Sequence, residues 1–150
     1  MNVLFLTRLY HPHVGGVEKH LMEITNRLVK KGYNFSIIAQ KYDPSLSSRE
    51  TEKNGNKIYR IFYPKIKLVG LLKTWFEIWK LRDIISEADI VHVHDVFIWY
   101  LPLRFLYPDK PIYTTFHGWE GKYPISFFNK FQKRLAYNLS KKTIAVGEYI

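Results

Sequence analysis

The sequence predicts an α/β fold, a doubly wound parallel sheet with helices on both faces. Short apolar runs alternate with longer segments of helical periodicity over the 150 residues, and this alternation is typical of β-α-β crossover units. The first run, residues 2–7, is apolar without alternation, as strands buried on both faces are. A loop with two adjacent glycines joins it to the first helix, at the edge where such sheets bind ligands.

The first crossover unit is the most clearly marked. A strand over residues 2–7 is followed by a loop that contains Gly15 and Gly16. An apolar stripe at helical spacing comes next, made of Val17, Leu21, Ile24 and Leu28. The residues predicted to face outward from this helix are Glu18, Lys19, Glu23 and Arg27. A basic last turn and Gly32 end the helix before a second strand over residues 35–39.

The remaining elements continue the alternation. The polar segment 43–56 predicts an exposed loop. Further strands are predicted over residues 57–62, 89–94, 111–116 and 143–146, the first of them toward the sheet edge. Further helices are predicted over residues 70–87, 96–107 and 126–139. Because a loop or helix normally follows such a last strand, we expect the chain to be cut from a longer one.

Composition and charge limit the classes of function. Hydrophobic residues make up 47% of the chain and aromatic residues 17%, which excludes general disorder and fits one domain over residues 1–150. The formal net charge is +10, so an anionic partner is expected. The sequence has no cysteine, no secretory signal and no apolar run long enough to cross a membrane. We therefore expect a cytoplasmic protein, soluble or peripheral at the inner face of the membrane.

The turn with Gly15 and Gly16 is the first candidate site. Adjacent glycines let a ligand approach the backbone, and the following helix offers free N–H groups and a positive dipole end to a phosphate. The spacing matches neither the dinucleotide fingerprint nor the P-loop, and the second strand lacks the terminal acidic residue that holds a ribose, which disfavours a nicotinamide-dependent oxidoreductase. Two alternatives stay open: a turn that needs glycine for its backbone shape, and Glu18 as an ordinary first-turn carboxylate.

Three histidines lie at the ends of predicted strands. His92 and His94 are two residues apart and therefore face the same side, with Asp95 after them. His117 follows the next strand and precedes Gly118. A His-x-His pair can bind zinc, but no third ligand is evident, so no metal site is predicted. We interpret His92 as a buried histidine satisfied by the backbone, and His117 as a group that hydrogen-bonds a ligand.

Residues 53–82 form a basic and aromatic segment with eight Lys or Arg and a single acidic residue. The predicted core stripe of its helix is Leu71, Trp75, Ile78 and Ile85. Leu72, Phe76 and Trp79 widen the apolar arc beyond what one packed face needs. Basic residues beside exposed aromatics suit an anionic membrane or a lipid-linked ligand, and the side chains expected to make that contact are Lys73, Trp75, Phe76, Trp79 and Lys80. The alternative is that the wider arc packs on a neighbouring helix.

A second cluster, FFNKFQKR, predicts an ordinary core helix with a solvated basic face.

Four ordered segments carry a resemblance to a known family. They are FLTRLYHPHVGGVEKHLMEITNRLVKKGYNFSIIA, ADIVHVHD, PIYTTFHG and TIAV. In this order and spacing they resemble the family 4 retaining glycosyltransferases over essentially the whole chain. The first segment is the most specific, with its proline, paired glycine, glutamate, leucine stripe and the glycine before the second strand.

The resemblance implies a GT-B enzyme, in which two Rossmann-like domains enclose the active site and this chain is the N-terminal, acceptor-side domain. The C-terminal domain of the family, which holds the nucleotide sugar through a basic pair and paired glutamates, is absent from these residues. By the same resemblance, Gly15 and Gly16 would meet the donor diphosphate, and His117 would be the catalytic contact to the transferred sugar. The acceptor side of the cleft would be lined or supported by Glu18, His94, Asp95 and Gly118.

The leading hypothesis is therefore sugar transfer from a nucleotide sugar to a glycan or lipid-linked acceptor, with retention of configuration and without a metal ion or other cofactor. This half alone is expected to be inactive, because donor stabilisation is divided between the two domains. The alternative is a non-catalytic subunit that docks an acceptor or a membrane beside a separate catalytic polypeptide. Nucleic acid is not expected as a partner, because no helix-turn-helix or zinc-finger pattern is present.

Overall fold

The computed structural model describes residues 1–63, 67–118 and 125–146. Its strands are β1 Asn2–Leu6, β2 Asn34–Gln40, β3 Arg49–Thr51, β4 Lys57–Ile61, β5 Ile90–His94, β6 Ile112–Phe116 and β7 Lys142–Ala145. Its helices are α1 Gly16–Val29, α2 Lys67–Trp79, α3 Arg82–Glu87, α4 Phe97–Leu106 and α5 Phe127–Leu139. The strands form one sheet in the order β3-β4-β2-β1-β5-β6-β7, parallel except for β3. The predicted doubly wound α/β fold is confirmed.

Apolar side chains cover both faces of the sheet. Neighbouring residues of a strand point to opposite faces, and in β1 Leu4 and Phe5 belong to two different clusters. Phe5 packs on the side of α1, together with Leu21 of that helix. Leu4 packs on the side of α2, α3, α4 and α5. His92 and His94 contact Phe5 and therefore lie on the α1 side.

The prediction of an exposed loop over residues 43–56 is wrong in part, because the segment contains β3. This strand pairs antiparallel with β4, so that Glu50 lies opposite Ile58. All of β3 is exposed, which removes the apolar pattern by which strands are recognised in a sequence. The buried guanidinium of Arg60 fixes this edge by donating to Oε2 of Glu50 at 2.7 Å and to the carbonyl of His11 at 2.8 Å.

The helix predicted over residues 70–87 is divided into α2 and α3. At the break, the N–H of Leu81 donates to the carbonyl of Ile78 at 2.9 Å, three residues back, and this tighter turn ends α2. Ile78 and Ile85 are still both buried, as the predicted core stripe requires. In the described parts of the chain, no helix combines the length and apolar character needed to cross a bilayer.

Trp75 belongs to the contact between α2 and α4. Pro102 lies inside α4 and has no N–H to offer the carbonyl of Ile98, one turn earlier. The indole Nε1 of Trp75 donates to that same carbonyl at 2.7 Å. The polar atom of Trp75 thus faces the neighbouring helix and satisfies an acceptor that the proline leaves open, while contact of its ring with a membrane or lipid stays a prediction.

Candidate active site

A groove opens at the carboxyl ends of β1, β5 and β6, the edge at which sheets of this class bind ligands. Its volume is about 920 Å³. The walls are the loop after β1, the first turn of α1, the loops after β5 and β6, and one face of α5. The predicted site residues that line it are Gly15, Gly16, Glu18, His94, Asp95, His117 and Gly118. The structure brings these residues together, and what each of them binds stays a prediction.

The turn before α1 combines one open and one covered glycine. Gly16 is exposed, and a Cβ atom there would meet nothing. A Cβ atom on Gly15, the N-cap residue, would collide with Oε2 of Glu18. Gly15 has an extended backbone with φ −142°, and neither glycine has a positive φ. The backbone shape therefore requires glycine at neither position, and a side chain at Gly15 would displace the flexible end of Glu18.

The prediction that Glu18 faces outward is also wrong, because this side chain is only 6% exposed. Its Oε1 lies 3.2 Å from Nδ1 of His13, and its Oε2 packs over Gly15. The carboxylate thus lies beside the first turn of α1, where the helix dipole favours negative charge. The amino end of α1 is therefore partly compensated by a carboxylate of the protein itself.

Four histidines lie in a row on the α1 side of the sheet. Ring centroids are 4.3 Å apart between His92 and His94, 5.3 Å between His94 and His117, and 5.6 Å between His117 and His20. Nδ1 of His94 lies 3.0 Å from Nε2 of His117. Nε2 of His92 lies 2.7 Å from the hydroxyl of Thr115. The interpretation that the backbone satisfies His92 is therefore wrong, because its hydrogen-bond partner is a side chain.

Burial keeps three members of this row, His92, His94 and His117, neutral. Desolvation, followed by smaller effects of the neighbouring histidines, lowers the pKa of His94 to about 2 and the pKa of His92 to about 4. Burial also lowers the pKa of His117, with His20 acting in the same direction and Glu18 opposing it. At neutral pH, His92, His94 and His117 are therefore uncharged rings, each with one N–H and one lone pair.

Asp95 and Gly118 shape the backbone around His117. Asp95 has φ 61°, in the left-handed region that aspartate tolerates better than most residues. Its carboxylate accepts from the N–H of His117 at 3.1 and 3.2 Å. Gly118 has φ 134°, a conformation that a side chain would strain. These contacts fix the position from which the half-buried His117 ring enters the groove.

The exposed face of α2, here called the α2 surface, consists of Leu72, Lys73, Phe76, Trp79 and Lys80. Leu72 is 59% exposed, Phe76 56% and Trp79 46%. The alternative in which the wide arc packs on a neighbouring helix is therefore wrong for these three side chains. Phe76 and Trp79 stack with centroids 6.2 Å apart, and the Lys80 ammonium lies 5.3 Å from the centre of the Phe76 ring. None of these five residues lines the groove.

The segment FFNKFQKR forms the first part of α5 and differs from its prediction as a core helix. Phe127, Phe128 and Phe131 are all exposed. The residue of α5 that is fully buried is Ala136, in the last turns. Ser126 caps the helix by accepting from the N–H of Asn129 at 3.3 Å. α5 is thus placed by its cap and its C-terminal half, while its first turns present aromatic rings to solvent.

Sequence reasoning missed four ionisable groove residues, namely Arg8, His13, His20 and Lys133. His13 and His20 flank the glycine pair in the sequence, so their closeness to the turn was a signal that could have found them. Lys133 comes from α5, far along the chain, and has no local signal. Its ammonium lies 5.6 Å from the centre of the Phe116 ring, at the end of β6.

The sequence profile described as Glycosyltransferase Family 4 matches residues 14–150. This stretch contains the glycine turn, the histidine row and α5. The chain belongs to glycosyltransferase family 4. The resemblance to family 4 stated from the sequence is therefore confirmed, and the seven-stranded sheet has the Rossmann-like α/β fold of GT-B glycosyltransferases.

One protein is similar to this family 4 chain in sequence, and another is similar to it in structure. The phosphatidylinositol N-acetylglucosaminyltransferase GPI3 subunit of Saccharomyces cerevisiae (strain YJM789) is 28% identical over 96 residues, which are 62% of this chain and 21% of that protein. Sucrose-phosphate synthase from Thermosynechococcus elongatus shares the fold with a TM-score of 0.66 and 12% identity, over 97% of this chain and 47% of its own. The family 4 chain thus spans about a fifth of the yeast relative and about half of the synthase structure.

Proposed function

We propose that this chain is the acceptor-side domain of an enzyme that transfers a sugar from a nucleotide sugar to a glycan or lipid-linked acceptor, with retention of configuration. The groove carries the proposal, because the open Gly16 turn and the His117 ring line one volume of about 920 Å³. That volume is large enough for the diphosphate and sugar of a donor together with part of an acceptor. Membership of family 4 supports glycosyl transfer itself.

In the proposed reaction, the donor diphosphate lies against the first turn of α1. Gly16 leaves room for phosphate oxygens, and the free N–H groups and dipole of the helix offset their charge. Arg8 and Lys133 add positive charge from two other walls of the groove. These groups supply the stabilisation that a divalent cation gives in other transferases, so the proposed mechanism uses no metal ion.

His117 is proposed to hydrogen-bond the transferred sugar. The bond between the anomeric carbon and the leaving phosphate oxygen breaks, and the acceptor oxygen bonds to the same face of that carbon. The acceptor's hydroxyl proton passes to the leaving phosphate oxygen, so no protein base is required. Positive charge develops on the sugar ring during this step, and a neutral His117 avoids the repulsion that an imidazolium would cause.

We propose further that this half does not transfer sugar by itself, because the donor must be held from both sides of the cleft. The test is to incubate the purified 150-residue chain with labelled nucleotide sugars and with glycan and lipid-linked acceptors. We expect no transfer above spontaneous hydrolysis. Robust transfer by this chain alone would contradict the proposal, whereas transfer that appears only after a nucleotide-sugar domain is added would support it.

The α2 surface is proposed to bind an anionic membrane at its cytoplasmic face, where a lipid-linked acceptor would be found. Aromatic rings that are half exposed and flanked by ammonium groups match the boundary between headgroups and acyl chains. The chain's net charge of +10 acts in the same direction. The yeast relative, whose name includes phosphatidylinositol as part of its activity, supports a lipid-linked acceptor.

Flotation with liposomes that contain phosphatidylserine tests this surface. We expect the chain to float, and the double variant Phe76→Ser/Trp79→Ser to lose most of that binding. The matched control is Phe127→Ser/Phe131→Ser, which removes exposed aromatic area from α5 and should float like the wild type. Equal losses in both variants, or flotation on neutral liposomes alone, would argue against a specific role of α2.

A second candidate function is a docking subunit without catalytic groups of its own. The α2 surface favours it, and so does the yeast relative, which is named as a subunit. The two candidates differ at His117. If the assembled protein transfers sugar equally well with His117→Ala, the docking function is favoured, and a large loss of rate favours direct participation in catalysis.

A further inference from the structure

Within the described residues, His94 is the member of the histidine row that has a buried ring nitrogen without a hydrogen-bond partner. It is 2% exposed, and its Nδ1 lies 3.0 Å from Nε2 of His117. Its other nitrogen, Nε2, is buried and has no hydrogen-bond partner in the described parts of the chain. Phe5 packs against the ring at 79°, with centroids 5.1 Å apart. One side of the His94 ring is therefore hydrogen-bonded and the other is not.

This contact allows two arrangements, because a neutral imidazole carries one N–H and one lone pair. If His117 donated from Nε2, His94 would have to carry its proton on its own Nε2, as a buried N–H without an acceptor. If His94 donates from Nδ1, only a lone pair is left without a partner. Orphaned buried N–H groups are rarer in proteins than under-satisfied acceptors. The second arrangement is therefore favoured.

We propose that His94 is a positioning residue that fixes the tautomer of His117. Nε2 of His117 accepts the hydrogen bond from His94, so the proton of His117 resides on Nδ1. Within the described residues, Nδ1 of His117 has no hydrogen-bond partner, and it is the nitrogen left for a ligand in the groove. His117 is thereby a hydrogen-bond donor toward an acceptor oxygen, such as a sugar hydroxyl. Only this last step rests on the proposed function, since the tautomer exists without a ligand.

Nitrogen-15 NMR of the histidine side chains in the 150-residue chain tests the tautomer directly. Long-range proton–nitrogen spectra at neutral pH distinguish a protonated ring nitrogen from an unprotonated one, and the His117 signals are assigned by their loss in His117→Gln. We expect His117 to be protonated at Nδ1, opposite to the preference of free histidine. Protonation at Nε2 in the wild-type chain would overturn the proposal.

Variants separate the role of His94 from general packing. His94→Phe keeps a buried ring without nitrogens, and we expect the Nδ1-protonated share of His117 to fall, with the ratio of the two tautomers changing about fivefold, as for the loss of one hydrogen bond. His94→Asn places an amide N–H near the position of Nδ1 and should restore that share. An unchanged tautomer in His94→Phe would overturn the proposal, and if that variant does not fold, the wild-type and His94→Asn spectra decide.

Thr115→Val is the matched control, because it removes the partner of His92 and leaves the pair His94 and His117 in place. The tautomer of His117 should not change in this variant. A change as large as that of His94→Phe would overturn the assignment to His94. The spectra need no nucleotide sugar, so a failure of this inference is distinguishable from a failure of the proposed sugar transfer.

Discussion

The groove and the α2 surface are both rich in aromatic and ionisable side chains, but their side chains are held in different ways. In the groove, hydrogen bonds join His94 to His117 and the carboxylate of Asp95 to the backbone of His117. On the α2 surface, Phe76 and Trp79 stack on each other and remain about half exposed. A fixed arrangement suits a ligand of defined geometry, whereas exposed rings suit a fluid interface. This difference is what we expect if, as proposed, the groove holds a ligand of defined geometry and the α2 surface lies against a membrane.

The largest expected effect separates the two regions by activity. In the proposed two-domain enzyme, His117→Ala should slow transfer to a water-soluble acceptor about 100-fold, because the transferred sugar loses the hydrogen bond that orients it for the reaction. Phe76→Ala should change the same rate less than about twofold, because a soluble acceptor does not require a membrane. Initial rates measure both effects. Similar losses of rate in the two variants would show that the groove and the α2 surface do not have separate roles.

The next effect concerns the free energy of unfolding at acid pH. In the folded chain His92 and His94 stay neutral down to about pH 4 and about pH 2, whereas in the unfolded chain each gains a proton as the pH falls through about 6.5. The unfolded state therefore binds more protons over this range, and stability is lost as the pH falls. Between about pH 6.5 and about pH 5 the loss should reach roughly 3 kcal/mol if both histidines contribute fully.

Urea denaturation at several pH values measures this loss. His94→Phe should remove about half of it, because one of the two titrating groups is gone. Lys80→Ala on the α2 surface should leave the pH dependence as in the wild type. A pH dependence that is unchanged in His94→Phe would show that the row of histidines does not control acid stability.

A smaller effect on the free energy of unfolding distinguishes Trp75 from the exposed residues of the α2 surface. Trp75→Phe removes the donor to the carbonyl of Ile98 and should lower the free energy of unfolding by about 1 kcal/mol, the cost of leaving a partly buried acceptor unpaired. Trp79→Phe, on the exposed face of the same helix, should change it by less than about 0.5 kcal/mol. Thermal or urea denaturation distinguishes them, and equal effects would mean that Trp75 is not a structural residue.

The smallest effect distinguishes the two glycines of the turn. Gly16→Ala should raise the free energy of unfolding by about 0.5 kcal/mol, because the added methyl meets nothing and the unfolded chain loses freedom. Gly15→Ala should lower it by about 1 kcal/mol, because Glu18 must move from its buried position. Combining Gly15→Ala with Glu18→Ala should relieve the collision. Without such relief in the double variant, the glycine at this position would need another explanation.

The order of strands and helices could be predicted from the sequence because burial on both faces leaves uninterrupted apolar runs. The strand β3 could not, since Arg49–Thr51 are all exposed and owe their pairing to β4. The pairing of Trp75 with the carbonyl left open by Pro102 was equally out of reach, because the two residues belong to different helices. Local sequence patterns predict helices and strands, but they do not predict the contacts between them.

The location of the candidate site could be predicted, because the carboxyl ends of parallel strands lie at the same edge of the sheet. That rule brings together His94, His117 and the glycine turn, as the groove shows. It does not give side-chain direction, which is why Glu18 was placed outward by helical periodicity and is in fact buried beside Gly15. Periodicity treats a carboxylate as a surface group, and the dipole of a helix start can draw one inward.

If the turn binds a phosphate as proposed, the buried position of Glu18 affects which anions it binds well. The carboxylate of Glu18 already covers Gly15. The binding free energy of an anion that replaces it there is therefore only the difference between the interactions of that anion and those of Glu18. A single phosphate in solution gains little from such an exchange. The proposed donor diphosphate is attached to a larger ligand, and the contacts of that ligand elsewhere in the groove would supply the free energy that displaces the glutamate.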